Sequence, residues 1–143
     1  MILKHVLFVC VQNAGRSQMA GAFAQKYGEG RITVSTGGTH PANQVHPEVV
    51  KVMQEKGIDI SENVPRRISV AELNAADQVV VMGCGAESFC PAPLLIKVID
   101  WDLEDPAGQP LKKVRKIRDE IERRVVHLID NMTAIETQGT NST

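Results

Sequence analysis

The chain has 143 residues, a formal net charge of −1, 43% hydrophobic and 23% charged residues, which suits one soluble domain around one core and leaves no room for two. Its three cysteines are too few, and of the wrong parity, for the disulfide framework of a small secreted protein. Near-neutral charge and five aromatic residues argue against nucleic-acid binding, and the apolar run Val6 to Val11 is too short for a signal-peptide core or a membrane span, so the chain reads as cytoplasmic.

Val6-Leu7-Phe8-Val9 is a β-branched and aromatic run that suits a strand buried on both faces, ending at Cys10. Met19, Ala20, Phe23 and Tyr27 then recur at helical spacing from Ser17 to Tyr27, and Gly28 follows where a left-handed residue would close the helix. Ile32 to Ser35 reads as a second strand ended by Gly37-Gly38. His46-Pro47-Glu48 opens a second helix that buries Val49, Val50, Val52 and Met53, with Gly57 beyond its end. Ser69 and Glu72 have capping-box spacing before a short helix over Val70 to Ala75. Gln78 to Met82 and Ile96 to Ile99 read as the third and fourth strands. Leu111, Val114, Ile117, Ile121, Val125, Leu128 and Ile129 mark a long amphipathic helix, and the basic cluster Lys112 to Arg124, interleaved with acids, reads as its solvated face. Residues 136–143 are expected to fray, bounding a single domain at 1–135.

Strands alternating with helices predict a parallel sheet covered on both faces, with ligands at the carboxyl ends of the strands. Cys10, the Gly83 to Cys90 loop and the Asp100 to Asp105 loop should gather there.

Cys10-Val11-Gln12-Asn13-Ala14-Gly15-Arg16-Ser17 joins a strand to a helix with Cys-x5-Arg spacing. Five intervening residues can curl so that their backbone N–H groups converge on one anion, reinforced by the helix N-terminus. Val11, Gln12, Asn13, Ala14, Gly15 and Arg16 are therefore the candidate oxyanion-binding set, with Arg16 gripping two oxygens through its planar fork. The same positive surroundings favour a Cys10 thiolate able to attack the central atom, and the Ser17 hydroxyl can donate to it. Asn13 can tie the loop to itself, and Gly15 permits a conformation or an approach that a side chain would block. Asp105 can act as a general acid for a poor leaving oxygen, although Asp100, Asp102 and Glu104 share its loop and an acid before proline often only shapes a turn.

FVCVQNAGRSQMA closely resembles the active-site segment of the low-molecular-weight tyrosine phosphatase superfamily, and Ser17-Gln18-Met19-Ala20 is similar to its arsenate reductase branch. The resemblance continues through Ser35 to Thr39, Gly57 to Ser61 and Asp105-Pro106-Ala107. It implies a flavodoxin-like three-layer α/β sandwich around a four-stranded parallel sheet, with Cys10 as nucleophile, Arg16 as oxyanion clamp, Ser17 as the thiolate's partner, Asn13 as the loop brace and Asp105 as general acid. Small tyrosine phosphatases carry a second cysteine before the loop arginine and aromatics after the Asp-Pro, where this chain has Gly15 and Ala107.

Reducing arsenate consumes two electrons, and the family's thioredoxin-coupled members take them from a relay of three cysteines. Cys10, Cys84 and Cys90 match that relay, with five residues between the last two where the family has six. The implied reaction reduces arsenate to arsenite and passes the disulfide from Cys10–Cys84 to Cys84–Cys90 for thioredoxin to open. Alternatives are an arsenate reductase drawing on a low-molecular-weight thiol such as mycothiol, a low-molecular-weight tyrosine phosphatase, and a non-catalytic oxyanion sensor. No tightly bound cofactor, metal, nucleic acid or membrane is expected, and the chain should be monomeric. His5, His40, His46 and His127 lack metal-ligand spacing and read as loop, cap and surface residues. Whether a monovalent cation braces the loop near Asn13 is left open by the sequence.

Overall fold

A computed structural model describes residues 3–82 and 98–141, with side chains described as far as residue 133. Its elements are β1 (Lys4–Cys10), α1 (Arg16–Tyr27), β2 (Ile32–Gly38), α2 (Pro47–Gln54), α3 (Val70–Ala75), β3 (Gln78–Val81), β4 (Val98–Asp100) and α4 (Leu111–Asn141). The strands form one sheet in the order β2-β1-β3-β4, and every pairing is parallel. The chain thus leaves β1 toward one side of the sheet and returns to the other. The carboxyl end of β1 is the switch point where such sheets bind ligands, and Cys10 occupies it.

Alternation along the strands divides the core. Val6, Phe8, Cys10, Val80 and Met82 face the larger cluster built with α1, α2 and α4, while Leu7, Val9, Val79 and Val81 pack with Leu73 and Ala76 around α3. Residues 6–10 of β1 are all buried, as expected for a central strand covered on both faces. Phe8 meets Trp101 with tilted rings, centroids 6.0 Å apart. α1 lies close against β2 because Gly21 has no side chain; a Cβ there would collide with the Thr36 methyl.

The expected elements are present, with four differences, and Ile96 and Lys97 of the expected fourth strand lie outside the described residues. Gly28 is not left-handed (φ −102°). Its N–H closes α1 onto Ala24, and a Cβ would lie 2.5 Å from Ile32 and 2.6 Å from the Ala24 carbonyl, so close approach requires the glycine; the positive φ falls at Gly30. Gly37 and Gly38 continue β2 rather than ending it, since Gly38 pairs with Cys10 and lies so close to the loop that a Cβ there would come within 2.6 Å of the Val11 carbonyl. Arg118 leaves the solvated face expected of the basic cluster: it is buried, donating to the Val52 carbonyl at 3.0 Å and to Glu55 at 2.7 Å. α4 runs to Asn141, past Ile135; no proline follows Pro110 to remove a donor from its ladder. The capping box on α3 forms as expected, Ser69 accepting from the Glu72 N–H and Glu72 from the Ser69 N–H. Among the described residues, no helix is long and apolar enough to cross a membrane.

Candidate active site

The loop between β1 and α1 is shaped by where its carbonyls go. The β2–α2 connection supplies donors to four of them: Thr39 to the Cys10 carbonyl at 3.4 Å, His40 to Val11 at 2.8 Å, Ala42 to Gln12 at 3.0 Å and His46 to Ala14 at 3.0 Å. Gln18 Nε2 takes the Asn13 carbonyl at 3.0 Å and the Met19 N–H takes Gly15 at 3.0 Å. A trans peptide sets its N–H opposite its C=O, and no peptide here is cis. Carbonyls drawn outward from residue 10 to residue 15 therefore turn the following N–H groups toward the loop's centre, as an anion nest requires.

Asn13 makes the bend in the left-handed region (φ 51°), which asparagine tolerates better than most residues. It is fully buried. Its amide donates to Ser17 Oγ at 2.7 Å, and Ser17 Oγ lies 2.9 Å from Cys10 Sγ. Because Asn13 donates into the serine oxygen, the serine proton is free to point at sulfur. The Asn13 side-chain oxygen accepts from the Arg66 N–H at 3.0 Å and from Gln18 Nε2 at 3.3 Å, and Gln18 accepts in turn from Asn63 at 3.0 Å.

Cys10, Val11, Gln12, Gly15, Arg16, His46 and Asp105 line a cavity of about 170 Å³. Cys10 is buried and unpaired in any disulfide. Arg16 is buried too, and spends Nη1 on the Leu103 carbonyl at 2.8 Å, so the loop after β4 is tied to the guanidinium. Asp105 sits at the exposed rim, its Oδ1 accepting from the Ala107 N–H at 3.0 Å in a tight turn. Glu48 of α2 holds the same turn by accepting from the Gly108 N–H at 3.2 Å. The chemistry this permits is attack by a buried sulfur on an anion held by N–H groups and a guanidinium, with a carboxyl beside the leaving oxygen.

The structure thus gathers Cys10, Val11, Gln12, Gly15, Arg16 and Asp105 around one cavity, with Asn13, Ala14 and Ser17 behind the loop. Cys84 and Cys90 lie outside the described residues. His46, read from sequence as a cap, does occupy the N-cap position of α2, but its ring also lines the cavity. Asn63 and Arg66 carry no local sequence signal for this site, and Gln18, which the sequence shows only as part of the motif after Arg16, is a buried glutamine on α1 that braces Asn13. A larger groove of about 470 Å³ between β4 and α4 is lined by Ile99, Trp101 and Leu128 with a rim of Arg123, Arg124 and His127, and none of these described residues is a cysteine, serine or threonine. No group of three His, Cys, Asp or Glu that could hold a metal occurs among the described residues.

Comparison with known proteins places the chain among relatives of one family. Residues 5–139 match the family model described as low molecular weight phosphotyrosine protein phosphatase. A Halobacterium salinarum protein, named provisionally as an arsenate reductase, is 52% identical over 128 residues, covering 86% of this chain and 89% of its own. The glutaredoxin arsenate reductase of a Synechocystis species is 41% identical, covering 89% and 97%. Among solved structures, the thioredoxin-dependent arsenate reductase of Corynebacterium glutamicum superposes with a TM-score of 0.79 at 35% identity, over 92% of this chain and 63% of that one.

Proposed function

The chain belongs to the low molecular weight phosphotyrosine protein phosphatase family, and from that membership we propose that it is an arsenate reductase regenerated by thioredoxin. The observation that carries the reading is the buried Cys10 sulfur at a cavity of about 170 Å³, small enough for an inorganic oxyanion, with Arg16 and Asp105 on its wall. The relatives named as arsenate reductases support the choice of substrate.

In the proposed reaction the loop N–H groups and Arg16 hold arsenate, and the Cys10 thiolate attacks arsenic. A sulfur–arsenic bond forms while an oxygen departs as water, protonated by Asp105. The Cys84 thiolate then attacks Cys10 Sγ. The sulfur–arsenic electron pair leaves with arsenic, which departs as arsenite, and the two sulfurs are oxidised to a disulfide. Cys90 attacks Cys84 next, freeing Cys10 and leaving a Cys84–Cys90 disulfide. Thioredoxin supplies the two electrons that reopen it. The Corynebacterium glutamicum relative's stated thioredoxin dependence supports this reductant, and the Synechocystis relative's name makes glutaredoxin the comparison to include.

The test is arsenate turnover by the full chain with thioredoxin, thioredoxin reductase and NADPH, against parallel assays with glutaredoxin and glutathione. C10S, C84S and C90S should each lose turnover, and one free thiol of the three should remain after a single turnover without reductant. Wild-type activity in C84S, or three remaining thiols, would sink the relay. Rapid aryl phosphate hydrolysis with negligible arsenate reduction would replace the reductase reading with a phosphatase one.

A further inference from the structure

Arg66 stands outside the cavity, yet four of its groups fasten three parts of the fold behind the loop. Its N–H donates to Asn13 Oδ1 at 3.0 Å, and its carbonyl accepts from the Gly38 N–H at 2.9 Å. Its guanidinium donates to the Thr36 carbonyl at 2.5 Å through Nη1 and to Glu72 Oε2 at 2.5 Å through Nη2. Glu72 is itself fixed, because its other oxygen accepts from the Ser69 N–H at 3.2 Å within the α3 capping box. Burial alone would raise the Glu72 carboxyl, but the hydrogen bond and charge of Arg66, with the Ser69 donors, outweigh it and hold the group below its usual range.

The line of contacts runs from α3 to the nucleophile without a gap: Glu72, Arg66, Asn13, Ser17, Cys10. Asn13 can direct the serine proton toward sulfur only while its amide keeps one orientation, donating with nitrogen to Ser17 and accepting with oxygen from Arg66. A rotation of the amide by half a turn would put its oxygen against the serine and its NH2 against the Arg66 N–H, two donors facing each other. An exposed ion pair contributes little stability by itself. Here its effect is geometric: by anchoring residue 66 to β2 and α3, it keeps the N–H that selects the amide orientation in place.

We propose that Arg66, held by Glu72 and the Thr36 carbonyl, is a positioning residue for the nucleophile, acting through Asn13 on the hydrogen bond between Ser17 and Cys10. This rests on the reading of Cys10 as the nucleophile and not on arsenate being the substrate. R66A keeps the backbone N–H but releases the segment that carries it, and R66K restores one of the two anchors at a time.

The test uses iodoacetamide alkylation in a C84S/C90S background, where Cys10 is the one thiol left, so it reads the nucleophile whatever the chain reduces. R66A should slow alkylation at pH 7 by about tenfold, the scale of weakening one hydrogen bond to a charged group, and R66K should recover part of the loss. S17A should slow it as well. Adding R66A to S17A should cost less than about twofold more, because two residues acting through one bond are not additive. E72Q, which keeps an oxygen for Ser69 and loses the charge facing Arg66, should give a smaller slowing that also vanishes in S17A, and it serves if circular dichroism shows R66A unfolded. Wild-type alkylation rates in R66A and E72Q, or losses that multiply in the double variants, would overturn the proposal.

Discussion

Ser17 makes two contacts that cannot both be replaced by one substitution. Its oxygen accepts from Asn13 at 2.7 Å and lies 2.9 Å from the Cys10 sulfur, in a spot with no solvent access. Ser17→Ala therefore leaves the Asn13 amide proton without an acceptor and the thiolate without a donor. The first loss should cost about 1–3 kcal/mol of stability, seen as a lower midpoint in urea. The second, a hydrogen bond to a charged group worth roughly 1.5–3 kcal/mol, should lower kcat by about ten- to a hundredfold. Thr at this position retains the hydroxyl and should recover part of both. A normal kcat in the alanine variant would mean that the serine only fills space. The hydroxyl after Arg16 was legible in the sequence because motif and junction lie within one short loop. The Asn13–Arg66 contact was not, since it joins positions 53 apart, and no local pattern records which backbone N–H an amide oxygen will meet.

At the scale of elements, α2 is fastened to α4 by charge as well as by Val49, Val52 and Met53. Glu55, at the end of α2, accepts three bonds from Arg115, whose Nε is shared between both carboxylate oxygens, and one from Arg118. The Arg115 hydrogen bond is the largest influence on its carboxyl; burial opposes it, Arg118 adds to it, and the result lies at about 2 against an ordinary 4.5. A depressed carboxyl stabilises the fold above its unfolded pKa and loses that contribution as pH falls through the folded one. Thermal unfolding of Glu55→Gln should thus show its full deficit at pH 7, a deficit that shrinks from about pH 4.5 downward, and only a small remnant at pH 2. A deficit constant across that window would rule out the ion pair as its cause. Periodicity foretold α4 and its apolar stripe, since burial of one face dictates spacing. It could not foretell Arg118, because an arginine whose guanidinium reaches the Val52 carbonyl and Glu55 occupies a position that reads as polar in either setting. The glycine after α1 was legible as a stop and misread as to reason: position 28 needs room for Ile32, not a positive φ.

For the whole molecule, the alternation of strands and helices was enough to expect a parallel sheet and to place the site at its carboxyl edge; what it could not supply was how the separate segments fit there. They meet over Gly15. A Cβ at that position would lie 3.0 Å from the Pro106 ring, which follows the candidate acid Asp105, and 3.5 Å from the His46 ring at the head of α2. The loop, the segment after β4 and the start of α2 therefore share one point of contact with no spare volume, and Pro106 is buried with a ring too stiff to turn aside. Gly15→Ala should push Pro106, and Asp105 with it, by a few tenths of an ångström while leaving Cys10, Ser17 and Asn13 in place. Misplacement of a reacting group by about 1 Å can cost a hundredfold in rate, so a displacement of this size should slow the arsenate step on the order of tenfold. Alkylation of Cys10 by iodoacetamide expels iodide and needs no acid, so in the C84S/C90S background it should proceed at the rate of its Gly15 parent. Slowing of arsenate turnover alone would locate the effect in the relation between loop and acid; equal slowing of both reactions would place it in the loop and refute the account of Gly15 given by this packing.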